Sequence, residues 1–213
     1  MTRAVVHVLR HGEVFNPDKV LYGRLPGFRL SDLGQDQAKL AADYLAGFDV
    51  GQIYSSPLER ALQTAAPLAE ALGLEVQREE RLLEAANYLQ GKRVAGGANL
   101  RQLFTQPRNW RFVVNPFRPS WGEPYRDIAS RVLAGLGEAA ARSGGRDTVC
   151  VSHQLPIVAA RRSAQGLRLA HDPRKRECSL ASVTSFTFVD GVIVKVDYNE
   201  PAAALPAGAG AGA

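Results

Sequence analysis

The stretch Ala4-Val5-Val6-His7-Val8-Leu9-Arg10-His11-Gly12-Glu13 decides the fold class of this chain. A β-branched run that ends in a cation, a histidine and a glycine reads as a strand, Val5 to Leu9, carrying His11 to its carboxyl end. In open α/β sheets that edge is where ligands bind. Arg10 sets a forked cation beside the imidazole, a pairing suited to holding an anion next to a nucleophile. Short motifs recur by chance, so the weight of this one depends on the rest of the chain.

Working outward, Leu30 to Leu45 has the period of an amphipathic helix, with Ser31 as its N-cap. Ile53-Tyr54 is the core of a second strand running into Ser55-Ser56-Pro57-Leu58-Glu59-Arg60. The spacing predicts a helix start there, with Ser56 as N-cap, Pro57 as first helical residue and Glu59 closing a capping box. That helix runs to Gly73, and Val76 centres a third strand. Asp127 to Arg142 returns to helical periodicity. Thr148 to Val151 reads as a strand, followed by Ser152-His153-Gln154-Leu155-Pro156 and a helix from about Ile157. Ser182 to Val189 and Val192 to Val196 are two strands joined by Asp190-Gly191, a hairpin signal. Strands alternating with helices imply an α/β fold: a three-layer αβα sandwich with a mostly parallel sheet and an antiparallel edge strand.

The chain has 213 residues, 46% hydrophobic and 22% charged, the composition of one globular domain. We read a single domain over residues 1–200. Residues 86 to 122 are rich in Gly, Pro and aromatic residues without a sustained period, which suggests a cap-like insertion over the sheet. Residues 201–213 are Ala/Gly/Pro low complexity, expected to be disordered. No run of eighteen apolar residues suggests a membrane span, and a strand begins at once, leaving no room for a signal peptide, so the expected location is the cytoplasm. Cys150 and Cys178 sit in apolar contexts that favour buried thiols over a disulfide, and no cysteine pair has metal-ligand spacing. The net charge is +5, with its densest run at Arg174-Lys175-Arg176. Scattered charge of this kind argues against nucleic acid and for a small anionic partner.

Two strands therefore end in a histidine, His11 and His153. Side by side in a parallel sheet, they emerge at one edge. Arg60, in the first turn of its helix, comes close to that edge. His11, His153, Arg10 and Arg60 would then form a pocket for a tetrahedral dianion such as a phosphoryl group. His7, inside the first strand, reads as a packing residue, and His171 as a loop residue with or without a task.

These segments together resemble the histidine phosphatase superfamily, the phosphoglycerate-mutase-like group, from Ala4 to about Val196. Its pattern is matched by Arg10-His11-Gly12-Glu13, Tyr22-Gly23-Arg24-Leu25-Pro26, Leu30-Ser31-Asp32-Leu33-Gly34-Gln35, Ser55-Ser56-Pro57-Leu58-Glu59-Arg60-Ala61, Leu82-Leu83-Glu84 and Val151-Ser152-His153. Finer wording, such as Gly12 to Pro17 and Ser120 to Tyr125, resembles an uncharacterised actinobacterial branch. The resemblance implies a phosphoric monoester hydrolase in which His11 is the nucleophile. Arg10, Arg60 and His153 would hold the phosphoryl oxygens and Glu84 would act as acid and base. Asn16, Gly23 and Gln154 would be further substrate contacts. No metal and no cofactor are expected, because the protein supplies the cations.

Mutases of this group carry an Arg-His-Tyr-Gly run directly after the glutamate, where this chain has Ala85-Ala86-Asn87-Tyr88. That departure favours hydrolysis over a phosphoglycerate-mutase-type transfer. A non-catalytic phosphate-binding module is the remaining alternative, and an acid at Glu84 argues against it. Specificity is expected from residues 86 to 122, where Trp110, Phe112, Phe117 and Trp121 could line a pocket, and from the loop His171 to Arg176. If that basic loop reaches the site, it favours substrates with a second anionic group. The expected partner is a small phosphorylated substrate, with no nucleic acid and no membrane, bound by a monomer or a homodimer.

Overall fold

In the computed structural model, which describes residues 2–87, 90–91 and 122–205, the elements alternate as expected. β1 (Arg3–Arg10), α1 (Asp32–Leu45), β2 (Val50–Ser55), α2 (Glu59–Leu72) and β3 (Val76–Arg78) come first. α3 (Tyr125–Ala141), β4 (Asp147–Ser152), α4 (Gln154–Ala164), β5 (Val183–Val189) and β6 (Val192–Asn199) follow. The six strands form one sheet in the order β3-β2-β4-β1-β5-β6. The first four are mutually parallel, and β5 and β6 pair antiparallel.

The opening run is apolar at both parities because β1 is covered on both faces. Val6 and Val8 face a core built with Ile128, Val132 and Leu136 of α3 and Ile157 of α4. Leu9 faces the opposite core, with Ala41 and Leu45 of α1 and Ala61, Ala65 and Leu68 of α2. Helices thus flank the sheet in pairs, a three-layer αβα sandwich. Ser31 caps α1, its hydroxyl accepting the Gly34 amide at 3.0 Å. The β5–β6 hairpin turns through Asp190 and Gly191, both at positive φ (47° and 81°), the backbone that a two-residue turn between right-twisted strands requires.

Two expectations are corrected. α2 begins at Glu59 with Leu58 at its N-cap and no side-chain cap, so Ser56 and Pro57 lie before the helix. Glu59 closes no capping box; its carboxylate pairs with Arg29 at 2.7 Å. The expected loss of order from residue 201 is not seen at its start: residues 201–204 form turns and Ala202 is buried in the α1–α2 core. Residues 206–213 lie outside the described residues. So do Trp110, Phe112, Phe117 and Trp121. The ends of the 86–122 stretch do meet, through an antiparallel bridge between Asn87 and Gly122. Cys150 and Cys178 are free, buried thiols. Among the described residues no helix is long and apolar enough to cross a membrane.

Candidate active site

Parallel pairing of β1 with β4 sets Arg10 opposite Ser152, and the His11 amide donates to the Ser152 carbonyl at 3.1 Å. The next residue of each strand is therefore a histidine at the same edge. The two rings lie 5.1 Å apart between centroids, and both are fully buried. His11 Nδ1 lies 2.7 Å from the Gly12 carbonyl oxygen, which can only accept. That fixes the proton on Nδ1 and leaves Nε2 with a free lone pair. His153 is held through Nε2, 2.8 Å from the Ser56 hydroxyl, and its Nδ1 has no partner.

The backbone around His11 is set by close contact rather than by side-chain bulk. A Cβ on Gly34 would stand 2.0 Å from the Glu13 carbonyl oxygen, and one on Gly12 would stand 2.4 Å from that of Gly34. Only paired glycines allow α1 to start against the loop that follows β1. Thr64 completes the clamp: its hydroxyl accepts the Gly12 amide at 3.2 Å and donates to the Arg60 carbonyl at 2.7 Å.

Among the described residues neither arginine of the constellation has a carboxylate partner. Arg10 donates to the Cys178 carbonyl and Arg60 to that of Gly23, each at 2.6 Å. Arg60 also lies over the Tyr22 ring, 4.7 Å from its centroid. Glu84 accepts the Ala85 amide on Oε1 at 2.7 Å, while Oε2 is unpartnered. Among the described residues, seven buried side-chain nitrogens or oxygens lack a partner, and five belong to Arg10, His11, Arg60, Glu84 and His153. Orphaned polar atoms are rare in folded proteins, so their concentration here marks a site shaped for a polar ligand.

Charge and burial act together on these groups. Burial, then Arg60 and Arg10, hold His11 well below the ordinary histidine value. His153 is held low by burial, then by Arg60, His11 and Arg10. Both imidazoles are neutral near pH 7. Glu84 moves upward, because burial outweighs the Ala85 hydrogen bond and the attraction of Arg60, Arg10 and Arg176. The two shifts move in the directions that a neutral nucleophile and a protonated acid require.

Asn16 is held by Val20 at both ends of its amide, at 2.8 and 3.0 Å, which closes the loop there and engages one of its two amide hydrogens. Gly23 serves through its carbonyl on Arg60. Gln154 bridges the Cys178 carbonyl (3.5 Å) and Arg176 (3.4 Å). His7 stays in the sheet, bonded to Ser185 at 2.8 Å and Asp147 at 3.3 Å.

Ser56, Thr64 and Tyr22 were not singled out as site residues, nor was the network behind Glu84. There Arg24 donates to the Glu84 carbonyl at 2.6 Å and pairs with Glu123 at 3.0 Å. Arg131 of α3 grips the same Glu123 with two nitrogens, at 2.7 and 3.0 Å. Nothing in local spacing signals that ring, because its members come from three separate parts of the chain.

Comparison with known proteins agrees with this geometry. The histidine phosphatase superfamily (branch 1) model matches residues 6–201. The chain belongs to that superfamily, and it is a phosphatase enzyme with a phosphoglycerate-mutase-like fold. It is 50% identical over 198 residues to an uncharacterized protein of Mycobacterium tuberculosis, covering 93% of this chain and 96% of that one. It is 33% identical to phosphoserine phosphatase 1 of Hydrogenobacter thermophilus, over 70% of this chain and 71% of the relative. Mycobacterial glucosyl-3-phosphoglycerate phosphatase, solved in complex with VO3, superposes with a TM-score of 0.71 at 28% identity. The match covers 94% of this chain and 99% of that one.

Proposed function

We propose that the protein hydrolyses small phosphomonoesters through a phosphohistidine on His11. The observation that carries this reading is the His11 tautomer: Nδ1 is committed to the Gly12 carbonyl, so the unpartnered Nε2 is free to attack phosphorus. Attack forms the P–N bond and breaks the P–O bond to the leaving alcohol. Glu84 gives its proton to that oxygen, helped by the burial that raises its affinity for a proton. Arg10, Arg60 and His153 hold the three equatorial oxygens as charge spreads over them. In the second half, Glu84, now a carboxylate, takes a proton from water as the water attacks phosphorus. Phosphate leaves, and His11 and Glu84 return to their starting states.

Arg10 and Arg60 supply the positive charge and neutral His153 a further donor, and the reading needs no metal ion. The names of two similar proteins, phosphoserine phosphatase 1 and glucosyl-3-phosphoglycerate phosphatase, support hydrolysis over transfer between substrates. The test is phosphate release from a panel of phosphomonoesters with EDTA present, at about pH 5 to 8, beside His11→Ala. Release that persists with chelator and vanishes in the variant supports the reading. Release unaffected by His11→Ala overturns it. Conversion of 3-phosphoglycerate only in the presence of its bisphosphate primer, with no net hydrolysis, would move the assignment to a mutase.

A further inference from the structure

We propose that Arg176 binds a carboxylate on the leaving-group side of the substrate, so that the preferred esters are phosphorylated hydroxy acids. This rests on the phosphatase reading of the same site and goes beyond it by naming what the alcohol must carry.

Many arginines of this molecule, Arg24, Arg29, Arg81, Arg131 and Arg161 among them, are paired with a carboxylate. Arg10 and Arg60, which face the phosphoryl position, donate only to neutral acceptors among the described residues. Arg176 is held in the same way. Its Nε donates to His171 Nε2 at 2.9 Å, and its Nη1 reaches Gln154 Oε1 at 3.4 Å. Among the described residues such a cation is oriented without a carboxylate partner, as a residue awaiting an anion should be.

Its mounting has the same logic as that of His11. His171 Nδ1 lies 2.6 Å from the Leu169 carbonyl oxygen, so the proton sits on Nδ1 and Nε2 is left to accept from Arg176. The imidazole also packs on Tyr125 at the start of α3, 5.5 Å between ring centroids. His171 is thereby a positioning residue for the guanidinium. Gln154 is the first residue of α4, directly after His153. Its other end approaches the Cys178 carbonyl, the group that also holds Arg10. A continuous set of polar contacts therefore runs from Arg10 to Arg176.

Direction follows from Glu84. Arg176 is close enough to act on its charge. In the proposed mechanism Glu84 protonates the leaving oxygen, so a cation on its side would meet the alcohol portion rather than the transferring phosphoryl group. The class of anion follows from number. A phosphoryl dianion is met here by two arginines and a histidine, whereas one fork matches one carboxylate edge.

The experiment compares kcat/KM within two matched pairs, 3-phosphoglycerate against glycerol 3-phosphate and phosphoserine against phosphoethanolamine, which differ by the carboxylate. The native protein should prefer the acid in at least one pair. In Arg176→Gln that ratio should fall about tenfold or more, and Arg176→Lys, which keeps the charge without the fork, should regain part of it. His171→Ala should lower the ratio in the same direction. No preference for the acid in either pair, or a ratio unmoved by Arg176→Gln because both members fall together, overturns the proposal and leaves the phosphatase reading standing. Hydrolysis that survives His11→Ala removes the reading beneath it.

Discussion

Glu84→Gln separates the two halves of the proposed reaction. The amide has the shape of the carboxyl it replaces, and its oxygen can still accept the Ala85 amide that Oε1 now accepts at 2.7 Å. What is lost is the proton on Oε2, the atom that has no partner among the described residues. A positioned general acid is worth about 10² to 10⁴ in rate, or about 3 to 5 kcal/mol. That loss falls fully on an alkyl phosphate, whose alkoxide cannot leave unprotonated. It falls lightly on p-nitrophenyl phosphate, whose phenolate leaves without help. The second half, attack of water on phosphohistidine, needs Glu84 as base whatever the ester was. The variant should therefore keep kcat/KM for the aryl ester within about fivefold and lose about 10² or more for the alkyl ester. With the aryl ester it should also release one equivalent of phenolate in a burst and then stall. Rapid-mix absorbance and steady-state phosphate release measure both. Equal losses in kcat/KM on the two esters, with no burst, would falsify the acid role. The pH profile adds a check of sign. In the native protein alkyl-ester kcat/KM should fall as pH drops through the depressed His11 value, where Nε2 gains a proton, and as pH rises through the raised Glu84 value, where the acid is spent. Glu84→Gln should lose the alkaline limb and keep the acid one.

Other consequences follow from the same geometry. Gly34→Ala, usually helpful inside a helix, should destabilise by at least about 2 kcal/mol in urea unfolding, because its Cβ meets the Glu13 backbone oxygen at 2.0 Å; a neutral or stabilising result would contradict the close approach of α1 to the catalytic loop. Ser56→Ala should cost about tenfold in kcat/KM with little change in thermal midpoint, since it frees His153 Nε2 and leaves the fold's packing intact; unchanged kinetics would remove Ser56 from the site. His11 and His153 bind protons in the unfolded chain at a pH where their buried rings do not, so their contribution to stability is lost as pH falls below about 6.5. Urea midpoints measured down that range should decline, and less steeply in His11→Ala; the same slope in both would show that His11 is not held neutral. Inorganic phosphate should raise the thermal midpoint by binding the two uncompensated arginines, and Arg60→Gln should abolish most of that rise.

The α/β class, the order of the elements and the residues at the strand ends were legible in the chain itself. A run such as Ala4 to Leu9 can only be a strand covered on both faces, and whatever follows it must emerge at the sheet's edge. The same reasoning located His153, and the Ser31 cap and the Asp190-Gly191 turn depend on neighbours within a few residues. The misread residues are those with a choice of distant partners. Ser56 has the sequence of a helix cap, yet its hydroxyl bonds to a histidine 97 residues away. Glu59 has the place of a capping-box partner, yet its carboxylate pairs with Arg29. Glu123 and Arg131 carry no local signal, because they matter only once α3 and the loop after β3 lie side by side. Local periodicity determined which groups reach the edge of the sheet, since strand and helix geometry follow from near neighbours. Which nitrogen of each histidine is free, which arginines lack a counter-charge and how high Glu84 titrates were decided only by tertiary structure, because hydrogen-bond partners, burial and charge are set by residues far apart in the chain.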